Sequence, residues 1–158
     1  MFLKEFEIRW SDLDANRHLA NASYLNFMAH TRMDFLHSLG MNLQILADMQ
    51  ISPVVFHEHI YYFKEAFPGK PLTVSLEILG LSADGMFFEF LHNFYDSNGR
   101  NLAHCEMMGA WINTNTRTLS PLPEPLLTKF QSQEKATSFK VLTKADTRKF
   151  FKRPIDLV

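Results

Sequence analysis

The sequence predicts an α+β protein in which an antiparallel sheet of five to six strands wraps around one long central helix. Three observations predict it. Apolar residues keep helical spacing from Asn21 to Leu39 with no Gly or Pro between them. Four long strand-like runs follow between Val54 and Asn113, separated by short breakers. A period-two segment, Phe2 to Trp10, precedes the helix. The fifteen Phe, four Tyr and two Trp point the same way, because aromatic rings favour pleated, half-buried surfaces.

In the first segment Phe2, Phe6, Ile8 and Trp10 fall on one side, with Lys4 as the exception. Ser11 to Ala20 is polar and small, as a loop would be. Tyr24, Phe27, Met28, Thr31, Phe35, Ser38 and Leu39 then mark the helix, with Asn21 or Ser23 to cap it and Gly40 to end it. Leu25, Met33 and Leu36 make a second side apolar, which predicts burial on more than one side. Asn42 to Met49 suits a short helix. The strand runs are Val54–Phe63, Leu72–Leu81, Met86–Tyr95 and Leu102–Asn113, read as a consecutive antiparallel meander. Asn98-Gly99 is the strongest hairpin signal among the breakers. Pro121, Pro123 and Pro125 close this region, Glu124 to Glu134 suits a last helix, and the tail from Lys140 to Arg153 is basic. The expected organisation is one domain over residues 1–158, with a core of about 2–130 and a basic extension of about 135–158. A one-helix core leaves sheet edges open, and open edges invite a second subunit.

Composition removes several function classes. Sixteen basic against seventeen acidic residues leave a formal charge of −1, without the positive excess that nucleic-acid binding needs. The single cysteine, Cys105, excludes an internal disulfide and a thiolate zinc cluster and fits a reducing compartment. Charges interrupt the N-terminal apolar residues too early for a signal peptide, and no apolar run reaches the ~20 residues of a membrane span. A soluble, cytoplasmic protein is expected.

The chemistry concentrates in Arg9-Trp10-Ser11-Asp12-Leu13-Asp14-Ala15-Asn16-Arg17-His18-Leu19-Ala20-Asn21-Ala22-Ser23-Tyr24-Leu25. Two carboxylates, a histidine and an asparagine lie in a loop that runs into a helix start. Free backbone N–H groups and the positive end of the helix dipole face that loop, where they would stabilise a carbonyl oxygen gaining negative charge. A nearby carboxylate can attack the carbonyl carbon or take a proton from water. The alternative is a turn or cap role for the Asp residues, with His18 bonded to a carbonyl.

This stretch resembles the 4-hydroxybenzoyl-CoA thioesterase family of hotdog-fold proteins, whose pattern reads about R-W-x-D-x-D-x-x-G-H-V-N-N-x-x-Y-L. Arg9, Trp10, Asp12, Asp14, His18, Asn21, Tyr24, Leu25 and Arg32 stand in register with it. Tyr62 to Lys70 is similar to the family's Y-L-R-P-A-x-x-G-D segment, and Leu122-Pro123 matches its late L-P pair. The resemblance covers about Phe6 to Phe130. It implies an acyl-CoA thioesterase, with Asp14 as catalytic nucleophile or general base and the Asn21 backbone N–H as donor to the thioester carbonyl. It further implies that His18 shapes the loop, that Tyr24 lines the acyl pocket, and that Phe56, His57 and His59 of a dimer partner approach the ligand. A homodimer or homotetramer follows, with coenzyme A as product and no cofactor or metal. The chain departs from the pattern at Arg17, where the family has glycine, at Ala20, at His30, and at Glu65 and Lys70. If position 17 requires positive φ, arginine there costs on the order of 1 kcal/mol.

Other readings rank lower. Asp14-x-Asn16 begins like the D-x-N-P-x-H signature of hotdog enoyl hydratases, but Arg17 takes the proline position and His18 comes one residue early. His57-x-His59 would place two rings on one strand face, yet no third metal ligand is evident, so packing or pocket lining is expected. Cys105 is expected to pack as a small apolar residue. The basic tail would meet coenzyme A phosphates or lie in solvent. A non-catalytic acyl-thioester binder and an acyl-carrier-protein thioesterase are the alternatives on the same scaffold.

Overall fold

The computed structural model describes residues 1–157. Six strands form one sheet: β1 (Phe2–Phe6), β2 (Ile51–Tyr62), β3 (Leu72–Ser82), β4 (Phe87–Tyr95), β5 (Asn101–Asn113) and β6 (Lys135–Leu142). The order is β1-β3-β4-β5-β2, antiparallel throughout, while β6 joins β3 in parallel. Helices α1 (Asn21–Ser38), α2 (Leu43–Asp48) and α3 (Glu124–Gln131) complete the fold.

The inner face of the sheet packs on α1 through aromatic rings. Phe35 meets Phe90 and Phe130 edge-on at 5.9 and 5.8 Å, Tyr24 meets Phe94 at 4.9 Å, and Phe6 stacks on Phe27 at 4.5 Å. Each such pair contributes about 0.5–1.5 kcal/mol beyond its buried area. Lys4, the charge on the inner side of β1, reaches Asp34 of α1. Arg32 of α1 bonds Glu58 of β2 at 2.9 Å, tying the helix to the far edge strand. The α1 terminus follows the sequence closely. Gly40 takes φ 72°, its N–H bonds the His37 carbonyl, and the Met41 N–H bonds the Leu36 carbonyl. Those two bonds satisfy carbonyls that the helix end would otherwise leave free.

Several expectations need correction. The strand at the N-terminus stops at Phe6, and Trp10 stands exposed at the start of a 3-10 turn over Trp10–Asp12. Of the second apolar side of α1, Leu36 is buried and Met33 packs against the core, whereas Leu25 is exposed. Only β3-β4-β5 is a meander; β2 crosses to pair with β5 at the opposite edge. The last helix ends at Gln131, and β6 was not predicted at all.

Candidate functional site

The loop between the 3-10 turn and α1 is a small hairpin closed by a bridge between Leu13 and Leu19. The Asp14 N–H bonds the His18 carbonyl at 2.9 Å, and the Arg17 N–H bonds the Asp14 carbonyl at 3.0 Å. Asp14 Oδ1 accepts the N–H of Asn16 at 2.8 Å and of His18 at 3.1 Å. Arg17 sits at φ 63°, the left-handed conformation that glycine adopts most cheaply.

The same bonding recurs at the β4–β5 hairpin. There the Asp96 N–H bonds the Arg100 carbonyl, the Gly99 N–H bonds the Asp96 carbonyl, and Asp96 Oδ1 accepts the N–H groups of Asn98 and Arg100. Gly99, at φ 76°, holds the place of Arg17. One difference separates the two turns. Asp96 Oδ2 receives the Arg100 guanidinium at 2.9 Å, whereas Asp14 Oδ2 has no hydrogen-bond partner among the described residues. Asp14 is also exposed.

Below the turn the chain is pinned to the helix start. The Asp12 carbonyl accepts the Ala20 N–H and the Ser23 hydroxyl, each at 2.9 Å. The buried Asp12 carboxylate holds Arg9 through its backbone N–H (2.8 Å), Nε (3.0 Å) and Nη2 (3.0 Å). These bonds hold the Asp12 carboxyl below the usual carboxylate range, against the opposing effect of burial. This clamp escaped the sequence reading, although opposite charges three residues apart were its visible trace.

Ala20 caps α1 and has no side chain to offer the helix. Its carbonyl accepts the N–H groups of Ser23 and Tyr24, so the Asn21 and Ala22 N–H groups stay without an acceptor among the described residues. A Ser or Asp cap would compete for the same end of the helix. Tyr24 is buried one turn in, edge-on to Tyr62 at 5.1 Å, and burial pushes its hydroxyl up to about 12.

His18 turns away from Asp14. Its Nδ1 lies 3.3 Å from Glu65 Oε1, and its ring meets Phe67 edge-on at 4.8 Å. Only its backbone, through the N–H and the carbonyl, bonds Asp14. Glu65 and Phe67, absent from the sequence-derived set, thus join the loop from the β2–β3 connection, as does Ala66, whose carbonyl accepts the Leu19 N–H at 2.9 Å. Beside this junction opens a 770 Å³ cleft between the β2–β3 loop and the β4–β5 hairpin. Ile8, Phe67, Leu72 and Leu102 line it, with Lys70 and Arg100 among its polar groups.

Within one protomer Phe56, His57 and His59 stand on β2, apart from the Asp14 loop; their expected approach is from a dimer partner. The β2–β5 register slips at Phe56, so that Val55 faces Gly109 and His57 faces Met108. One inserted residue reverses the side of every later side chain. His57 and His59 therefore share the outer side with Met108 and Glu106, while Glu58 and Ile60 turn toward α1. Among the described residues no group of three or more His, Cys, Asp or Glu is arranged to hold a metal ion, and no helix is long and apolar enough to cross a membrane.

The fold has many solved counterparts. The 1,4-dihydroxy-2-naphthoyl-CoA thioesterase from Synechocystis superposes with a TM-score of 0.74 at 22% identity, over 83% of this chain and 96% of that one. A hypothetical protein from Staphylococcus aureus, solved in complex with CoA, gives 0.78 at 20% identity over 99% and 95%. A probable thioesterase from Escherichia coli gives 0.70 at 23% identity over 83% and 97%. No curated protein matches the sequence. An antiparallel sheet around a single long helix, shared with these structures, is the hotdog fold. The family model of the thioesterase-like superfamily matches residues 8–130, and the chain belongs to that superfamily.

Proposed function

We propose that this protein is an acyl-CoA thioesterase that hydrolyses a fatty or aromatic acyl-CoA to the free acid and coenzyme A, with Asp14 as the catalytic carboxylate. The observation that carries the reading is the pairing of an unclaimed Asp14 Oδ2 with unclaimed Asn21 and Ala22 N–H groups at the two ends of one pinned loop. The thioester oxygen would accept from these amides, and the helix dipole would favour its growing charge. Asp14 then either takes a proton from water, whose oxygen bonds the acyl carbon as the C–S bond breaks, or attacks that carbon itself to give an anhydride that water then cleaves, freeing the acid and Asp14. In both routes the sulfur leaves as thiolate and water supplies the second carboxyl oxygen. Family membership supports the reaction type, as do a naphthoyl-CoA substrate and a CoA complex among the structural counterparts. Tyr24 and Tyr62 supply aromatic surface near the helix start for the acyl group. The outer edge of β2, with Val55, Phe56, Tyr61 and Tyr62 exposed, suits pairing with β2 of a second copy, giving a homodimer that places the partner's strand across the site.

The experiment is thiol release from a panel of aromatic and aliphatic acyl-CoAs. Asp14→Asn keeps an oxygen for the Asn16 and His18 amides, so it should melt normally while kcat/KM falls about 10²–10⁴-fold. Full activity in the folded variant overturns the assignment. The engagement of Asp14 Oδ1 by two amides favours a second reading, a binder in which Asp14 only shapes the turn. Saturable acyl-CoA binding without thiol release would establish it, and faster turnover of carrier-bound substrate would establish a carrier-protein thioesterase.

A further inference from the structure

The chain beyond the family match, which ends at Phe130, is tied across the outer face of the sheet. β6 runs beside the upper half of β3, with Gly80 opposite Lys140 and Ser82 opposite Leu142. Leu142 packs with Phe87, Met108 and Ala110. Gly80 makes this seat, because a Cβ there would stand 2.7 Å from Leu142 Cδ2. From Leu142 the chain crosses β4, β5 and β2 in turn. Lys149 Nζ reaches Glu89 of β4 at 2.6 Å and Glu106 of β5 at 3.1 Å, and Phe150 lies edge-on to His57 and His59 of β2 at 5.2 and 5.1 Å.

The crossing point gathers opposite charges. Glu89 is fully buried, and Lys140 approaches its Oε2 at 3.6 Å while also facing Asp146 at 3.4 Å. At the crossing the carboxylates of Glu89, Glu106 and Asp146 face the ammonium groups of Lys149 and Lys140. Under Phe150 both ring nitrogens of His57 are buried with no hydrogen-bond partner. A proton on His57 would place a cation beside Lys149, with no acceptor to receive its N–H groups.

We propose that Leu142–Phe150 is a pH-gated strap, held down while His57 is neutral and lifted from the sheet when His57 binds a proton. Burial, and then the Lys149 charge, pulls the His57 pKa below its ordinary value, with Glu89 and Glu106 opposing weakly. The closed strap thus takes up this proton less readily than an open one. As pH falls below about 6.5, the ordinary histidine value, closure loses up to about tenfold per pH unit until the closed form itself is protonated. Lifting bares Phe87, Met108 and Ala110.

Hydrogen exchange of the full-length protein between pH 7.5 and 5.5 tests this, with intrinsic rates corrected and β4–β5 amides as the internal reference. Protection of Val141 to Phe151 should fall by up to about tenfold in the wild type. In His57→Phe it should stay constant, and in Lys149→Gln it should be low at both pH values. NMR titration of the His57 ring in the wild-type chain must give a midpoint below the ordinary histidine value. Constant wild-type protection, His57 titration without strap opening, or an equal fall in His57→Phe overturns the proposal; the last result would assign the effect to Glu89 and Glu106.

Discussion

Replacing Arg17 by glycine should stabilise the protein, and the paired turns allow the size of the effect to be worked out. A non-glycine residue at φ 63° carries about 1–2 kcal/mol of steric cost. Glycine removes that cost but gives the unfolded chain more freedom, which returns about 0.5–1 kcal/mol. The net gain is about 0.5–1 kcal/mol, or about 1–4 °C in Tm for a chain of this length. The Asp96 turn supplies the reverse experiment. Gly99 occupies the same position at φ 76°, and nothing lies within 4 Å of where its Cβ would be, so Gly99→Arg tests strain without a clash. Calorimetry of wild type, Arg17→Gly and Gly99→Arg at one protein concentration should show opposite shifts of similar size. An Arg17→Gly variant that melts no higher, beside a Gly99→Arg variant that melts no lower, would refute the argument from backbone strain.

Two further outcomes follow from buried groups. Asp12, held below the usual carboxylate range by Arg9, contributes stability that is present above the ordinary carboxylate pKa and lost as pH falls through it toward the depressed value. Asp12→Asn should therefore melt below wild type at pH 7, with the gap narrowing between about pH 4 and pH 2 in thermal scans; a constant gap would mean the charge is unimportant. Cys105 is fully buried and its thiol is pushed up to about 12, mainly by burial. Against the ordinary value of 9.0, its thiolate is about a thousandfold scarcer, so Cys105 should stay silent in a thiol-reagent assay until the protein unfolds. Rapid labelling of the native chain would contradict its placement.

The elements that were legible in the sequence are those with local causes. The α1 stripe, its glycine end and the Asp96–Arg100 hairpin each depend on residues within a few positions of one another. The place of β2 beside β5 depends on pairing across some fifty residues, which no periodicity records. β6 escaped because Lys135-Ala136-Thr137-Ser138-Phe139-Lys140-Val141-Leu142 buries only Ala136 and Leu142 and so lacks a hydrophobic side. His57 and His59 share one face of β2, as their spacing predicts, but which face they take was not legible, for a sharper reason. Strict alternation from Val54, which packs on the outer face, would carry His57 and His59 inward, and the extra residue at Phe56 turns them out. Nothing in Val55-Phe56-His57 announces a bulge.

The candidate site was legible as a motif but not as a site, because the same motif also builds an ordinary hairpin. Asp-x-Asn followed by a left-handed residue closes both turns, and in both the first aspartate oxygen bonds two amides. The fifth residue decides what the second oxygen does. Arg100 folds back onto Asp96 and neutralises it, whereas His18 is drawn off by Glu65 and Phe67, leaving Asp14 Oδ2 open. On this reasoning the side chain of His18 matters because it stays away from the carboxylate. His18→Arg should recreate the Asp96–Arg100 arrangement at Asp14. An arginine at bonding distance stabilises the ionised carboxylate and so weakens it as a base. Thiol release should fall about tenfold or more while the fold is retained, whereas His18→Gln, with no charge to offer, should lose less. Equal losses in the two variants would show that the imidazole itself is needed, and full activity in His18→Arg would remove Asp14 Oδ2 from the chemistry.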